Sequence, residues 1–341
     1  MRKIKCALVF VALLGGFAFF YFLPPMSKQA KPSQSSHLGI QGAFFIPIEI
    51  AGFHSEIPYI NLNVGDKLTS AKIDLGSNQV ASMPSEIIEQ CEGKSFLSKR
   101  FFLGMRGKQY ESDVYLLPSI KINGIVFSKL PVSETNLEFK KDATLLSGKE
   151  SLPGPLATIG WRLFEKTNFF LDCQHSLLAF CDSLETLKQK GYPVDSFIET
   201  PLLLDHGLIE FEAETDFGSM RCLLDTGCTW NMLNKDREGG ANDHMIFNQI
   251  SLGEHAVLNP QNSDLMEFDP DAECAIPMFK IGKKDFGEIA FTKFKTPLKI
   301  DAIIGMEFLE SKLVFIDFPN RKIYFCESCS DPLPISLQKN L

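Results

Sequence analysis

Apolar and polar positions alternate over Ile57 to Val64 and again over Leu208 to Thr215, the two-residue period of a strand with one buried face. Each stretch is followed by a turn and then by an apolar run that closes on an acid and a glycine. The runs are Ala71-Lys72-Ile73-Asp74-Leu75-Gly76-Ser77 and Cys222-Leu223-Leu224-Asp225-Thr226-Gly227-Cys228. Leu171 to Cys181 and Phe315 to Cys326 each read as strand, turn, strand, with Gln174-His175-Ser176 and Pro319-Asn320 supplying the turn residues. Long amphipathic stretches are scarce. Ser85 to Gln90 and Trp161 to Lys166, each beginning just after a Pro or a Gly, are expected as short helices in an otherwise all-β chain.

The pattern repeats. Gly160 and Gly305, Glu165 and Glu310, Asp172 and Asp317, Cys181 and Cys326 are each 145 positions apart, so the block that holds them is ungapped. Asp74 and Asp225 are 151 apart, which leaves six residues of loop difference between the two motifs, a kind of change that surface loops absorb at little cost. A period this long is not that of a solenoid and points to two homologous lobes, each of ordinary domain size. The expected organisation is a leader over residues 1–25, a tether over 26–39, an amino-terminal lobe over 40–185 and a carboxyl-terminal lobe over 196–330.

These residues resemble the aspartic proteases of the pepsin and retropepsin type. In that family each lobe carries two apolar residues, Asp, Thr or Ser, and Gly, followed later by an apolar pair and a glycine behind the catalytic loop. Leu223-Leu224-Asp225-Thr226-Gly227 matches the first element fully, and Ile303-Ile304-Gly305 with Phe308-Leu309 resembles the second. The amino-terminal lobe has Ile73-Asp74-Leu75-Gly76-Ser77 and Thr158-Ile159-Gly160, with Leu75 where Thr or Ser is usual. The resemblance spans roughly residues 40 to 327 and implies two β-barrel-like lobes with a substrate cleft between them under a β-hairpin flap. Three common residues coincide often; the same motif twice, each with its downstream glycine block, does not.

The implied site is a pair of acids, Asp74 and Asp225. Two carboxylates held close together do not both ionise cheaply, so they share one proton and titrate as a unit. One then accepts a proton from water while the other donates to the scissile carbonyl, without metal, organic cofactor or covalent intermediate. The sequence leaves open which acid plays which part. Gly76 and Gly227 are expected to permit the tight turns that aim the carboxyls inward. The remaining support for the loops falls to Ser77, Thr226, Gly160 and Gly305. In the family the Thr hydroxyls reach across to the opposite loop; Leu75 has none to offer, and Cys228, where Ser, Thr or Ala is usual, is a weak donor. Leu103-Gly104-Met105-Arg106-Gly107, about thirty residues after Asp74, suits a hairpin tip as well as an ordinary surface turn.

Composition narrows the partners. With 45% hydrophobic residues and 30 Phe the chain builds a sizeable core. A net charge of −8 disfavours nucleic acid, which needs a basic face. Met1-Arg2-Lys3-Ile4-Lys5 is basic and residues 6–23 are apolar throughout, about the length that crosses a bilayer. Without a clear cleavage site this reads as an uncleaved signal anchor, with the lobes membrane-tethered on the exported side, periplasmic or extracellular, and secreted if the segment is removed. Nine cysteines suit an oxidising compartment, but their pairing is not readable. Cys181 and Cys326 fall at equivalent strand ends, as buried residues would, and Cys326-Glu327-Ser328-Cys329 is a single CxxC without a second pair. The sequence reading is therefore a membrane-tethered aspartic endopeptidase acting on exported polypeptides. A silent peptide-binding or envelope scaffold of the same fold is the alternative.

Overall fold

The structure, a computed structural model, describes residues 42–51, 57–103, 109–136, 157–204, 207–234, 248–249, 273–294 and 300–327. The apolar segment 6–23, the tether, Cys329 and the glycine tip at 104–108 lie outside these. Among the described residues no helix is long and apolar enough to cross a membrane.

Strands dominate, as the alternation predicts. Ile57–Val64 buries Pro58, Ile60, Leu62 and Val64 and turns the intervening residues outward. It pairs antiparallel with Lys67–Asp74, which begins exposed and ends with four buried residues. In the second half Glu210–Thr215 pairs in the same way with Gly218–Leu224. The expected strand at Leu208 starts two residues late, because Leu208 and Ile209 belong to the approach loop, where the Ile209 carbonyl accepts from Leu224 N. The helix expected at Ser85 forms over Ser85–Glu89. The one expected at Trp161 is a single 3-10 turn, Trp161–Leu163, since Asn168 already begins the next strand.

Each half folds on its own sheet, eight-stranded in the first and nine-stranded in the second. In each, the strand that carries the acid is flanked by a parallel partner: Ala71 to Asp74 lie beside Ala157 to Gly160, and Cys222 to Leu224 beside Ala302 to Ile304. A third sheet of six strands joins the halves. Its central pair is Asn168–Asp172 against Lys312–Asp317, antiparallel, with Phe170 opposite Phe315. Those two residues are 145 positions apart, so each faces its own repeat equivalent and a pseudo-twofold axis passes between them. The flanking strands Leu177–Cys181 and Lys322–Glu327 occupy matching places on either side. Asn168–Asp172 and Leu177–Cys181 are buried at every position; Leu177–Cys181 is a continuous apolar run, and the first has the apolar stretch Phe169 to Leu171 between a buried Asn168 and a buried Asp172.

Phenylalanine fills both cores. Phe164, Phe169 and Phe180 pack together beneath the first sheet, with ring centroids 4.9 and 5.6 Å apart, and Phe211, Phe279, Phe308 and Phe325 do so beneath the second. Each such burial contributes roughly 1.5–3 kcal/mol. Cys181 and Cys326 are buried thiols of one cluster with Phe170 and Phe315, in keeping with their reading as core residues.

Candidate active site

Asp74 is the last residue of Lys67–Asp74, and Asp225 immediately follows Gly218–Leu224. Both are completely buried. After each acid the chain makes the same turn, closed by Ser77 N donating to Asp74 O at 3.1 Å in one half and by Cys228 N donating to Asp225 O at 3.2 Å in the other. Behind each turn stands a glycine for which nothing larger has room. A Cβ on Gly160 would lie 2.3 Å from Gln79 O and 2.6 Å from Ser77 O; one on Gly305 would lie 2.3 Å from Trp230 O and 2.8 Å from Cys228 O. The contacted carbonyls are equivalent at the 151-residue offset, and the two glycines at the 145-residue offset.

Gly76 and Gly227 sit face to face with the opposite acid. A Cβ on Gly76 would fall 2.3 Å from Asp225 Cγ, and one on Gly227 would fall 2.5 Å from Asp74 Cγ. Both glycines lie in the turns, as expected, and neither has positive φ; what a side chain there would prevent is the close approach of each loop to the other's carboxyl. The two buried carboxyls thereby stand close together across the pseudo-twofold axis.

Thr226 links the loops. Its hydroxyl accepts from Leu75 N at 3.0 Å and donates to Ile73 O at 2.9 Å, both across the lobe boundary and both fully buried. Leu75, itself completely buried in the core, returns no such bond. The Asp74 loop is thus gripped from the opposite lobe by a hydroxyl and the Asp225 loop is not. Ser77 and Cys228 occupy matching places. Ser77 Oγ accepts from Gln79 N at 3.5 Å, whereas the Cys228 thiol points at Trp230 O, 3.2 Å away, and burial pushes its ionisation up.

Electrostatically the two acids differ. Asp225 Oδ1 accepts from Gly227 N at 2.8 Å. Burial first, and the adjacent negative charge of Asp74 second, push the Asp225 carboxyl up to about 8, against a smaller opposing pull from Lys72 and from that hydrogen bond. Lys72 escaped the sequence reading. Its ammonium lies 2.8 Å from Asp74 Oδ2, with the lysine side chain only 11% exposed. The signal was present: residues two apart on a strand share a face, and the second half has Leu223 where the first has Lys72.

Two further supports were not legible. Trp161, immediately after Gly160, stacks on Phe318 at 5.8 Å and donates from Nε1 to Gly207 O at 3.2 Å, tying the backing of the Asp74 loop to the second half. Asn231 Oδ1 accepts from Gly305 N at 3.0 Å, where the first half uses the Val80 backbone carbonyl for Gly160 N. The strands Ser95–Leu103 and Gln109–Ile122 pair antiparallel, Leu103 opposite Gln109, and the hairpin tip expected at Gly104 to Gly107 lies outside the described residues.

No protein-family model and no curated protein matches the sequence. Among solved structures the chain is similar to basic 7S globulin from soybean, with a TM-score of 0.54, 11% identity, and coverage of 85% of this chain and 95% of that one. It is similar also to an aspartic proteinase from Irpex lacteus, with a TM-score of 0.51, 12% identity, and coverage of 84% and 97%. The chain has the two-lobed pepsin-like fold.

Proposed function

We propose that the protein is an aspartic endopeptidase whose dyad is Asp74 and Asp225. The observation that carries this reading is the reciprocal approach of the loops, each glycine placed against the other lobe's buried carboxyl. A fold alone does not require that closeness. A buried pair sharing one proton hydrolyses a peptide bond in two steps. In the first, the ionised carboxyl takes a proton from water, the water oxygen bonds to the carbonyl carbon, and the protonated carboxyl gives its proton to the carbonyl oxygen. In the second, the carboxyl that gained the water's proton passes it to the amide nitrogen and the other takes one back from the tetrahedral intermediate. The C–N bond breaks, and the pair returns to its starting state.

The substrate is a polypeptide that binds extended in the cleft by main-chain hydrogen bonds. With the basic residues before 6–23 retained in the cytoplasm, the lobes act on exported chains. The test is cleavage of denatured casein by the full chain in detergent, between about pH 3 and 9. Asp74→Asn and Asp225→Asn are each expected to lower turnover by at least about 10²-fold with the fold retained. Full activity in either variant overturns the dyad.

The missing Leu75 hydroxyl favours a second reading, a peptide-binding protein that keeps the cleft without turnover. It predicts saturable binding of unfolded peptide by the wild-type chain and no cleavage at any pH.

A further inference from the structure

A lysine beside one member of an otherwise symmetric pair of acids breaks the symmetry of their charge. The ammonium of Lys72 stands 2.8 Å from Asp74 Oδ2. The approach is a charge–charge contact, and among the described residues neither oxygen of Asp74 receives an aligned hydrogen bond. Asp225 has instead the backbone N–H of Gly227 on Oδ1 and nothing aligned on Oδ2. A full positive charge at contact distance in a fully buried site outweighs one peptide dipole. Among the described residues, the groups that act on Lys72 are acidic or neutral. Asp74 lies on its own strand, Asp225 and the Cys228 thiol on the opposite loop, and Tyr59 is its register partner on Ile57–Val64. On the other flank its partner is the neutral Thr158. Burial alone would push Lys72 down; the charge and contact of Asp74, with Asp225 and Tyr59 behind it, leave it raised, so it stays an ammonium at working pH.

We propose that Lys72 is the positioning residue that decides where the shared proton resides: it holds the negative charge on Asp74 and leaves the proton on Asp225. The assignment rests on the endopeptidase reading and sharpens it. Asp74 is then the base that takes the proton from water, and Asp225 the acid that protonates the carbonyl oxygen. It also gives the hydroxyl grip a counterpart: the loop that Thr226 holds is the one that carries the charge, and the ungripped loop carries the neutral carboxyl, which needs fewer fixed donors.

A cation stabilises every ionised state of the pair, so removing it raises both apparent ionisations. In the full chain, Lys72→Met is expected to move both limbs of the pH–rate profile on denatured casein to higher pH, by about 1 to 3 units, while Lys72→Arg, which keeps the charge, stays nearer the wild type. Limbs that do not move in a folded Lys72→Met protein overturn the proposal. A second measurement needs neither turnover nor a Lys72 variant: carbon-13 NMR of the aspartate carboxyls at about pH 6, assigned through Asp74→Asn and Asp225→Asn. Asp74 is expected at a carboxylate shift and Asp225 at a carboxylic-acid shift, and the reverse order overturns the proposal even if Lys72→Met does not fold. A chain that cleaves nothing yet shows the expected order retains the charge assignment and loses the endopeptidase reading.

Discussion

Single atoms decide the site. A methyl group on Gly227 would collide with Asp74 Cγ at 2.5 Å, and one on Gly76 with Asp225 Cγ at 2.3 Å. Gly227→Ala therefore forces the carboxyls apart without touching either acid; kcat is expected to fall by about 10²-fold, the scale of a one-ångström misplacement, with the circular dichroism spectrum unchanged. Leu75→Thr tests the opposite direction. A hydroxyl there can return the bond that Thr226 already makes, and casein turnover is expected to be equal or greater. A clear loss would mean that the leucine is adapted to its packing. At this scale the sequence was readable where chemistry follows from residue type: the two acids, the two loop glycines, Thr226. It was opaque where chemistry follows from what faces what. Lys72 lay within the quoted motif but was read as part of an apolar run, because only the pleat of the strand shows that it shares a face with Asp74.

At the level of elements, the strands were legible wherever one face meets water, as at Ile57–Val64, and at the fully buried Leu177–Cys181, whereas the strand expected from Leu171 begins three residues earlier, at Asn168. Their boundaries were not, since a tertiary hydrogen bond such as Leu224 N to Ile209 O draws residues out of a strand their composition would suit. The helix expected from Trp161 to Lys166 was cut to one turn by the next strand, so Trp161 is used for packing. Trp161→Phe keeps the stack on Phe318 and loses only the bond to Gly207, an expected cost of about 0.5–1.5 kcal/mol in urea unfolding. Trp161→Ala loses both and is expected to cost about 3–5 kcal/mol. A Phe variant as damaging as the Ala would place the weight on the indole N–H instead.

For the whole molecule the buried acid pair makes stability depend on pH. Asp225 is raised from an ordinary 3.8 to about 8 by burial and by Asp74. Between those values the folded chain holds a proton that the unfolded chain releases, so this group's contribution falls as pH rises through the window, by at most about 1.4 kcal/mol per unit, and levels off above it. The raised Lys72 loses its contribution only at more alkaline pH, outside that range. Thermal unfolding between about pH 5 and 9 is expected to show the decline in the wild type and a flatter curve in Asp225→Asn. Equal slopes would mean that Asp225 is ionised in the native state throughout.

Phe170 opposite Phe315, each facing its own counterpart, relates the two halves as the copies of a symmetric dimer are related. While two identical chains build such a site, every substitution arrives twice: a lysine beside one acid brings a lysine beside the other, and a threonine lost from one loop is lost from both. Fusion lifts that constraint. Leu75 without a leucine at 226, and Lys72 without a lysine at 223, are differences between the halves that only a single chain can carry, and under the proposed charge assignment they are what would let two acids in matching places take different parts.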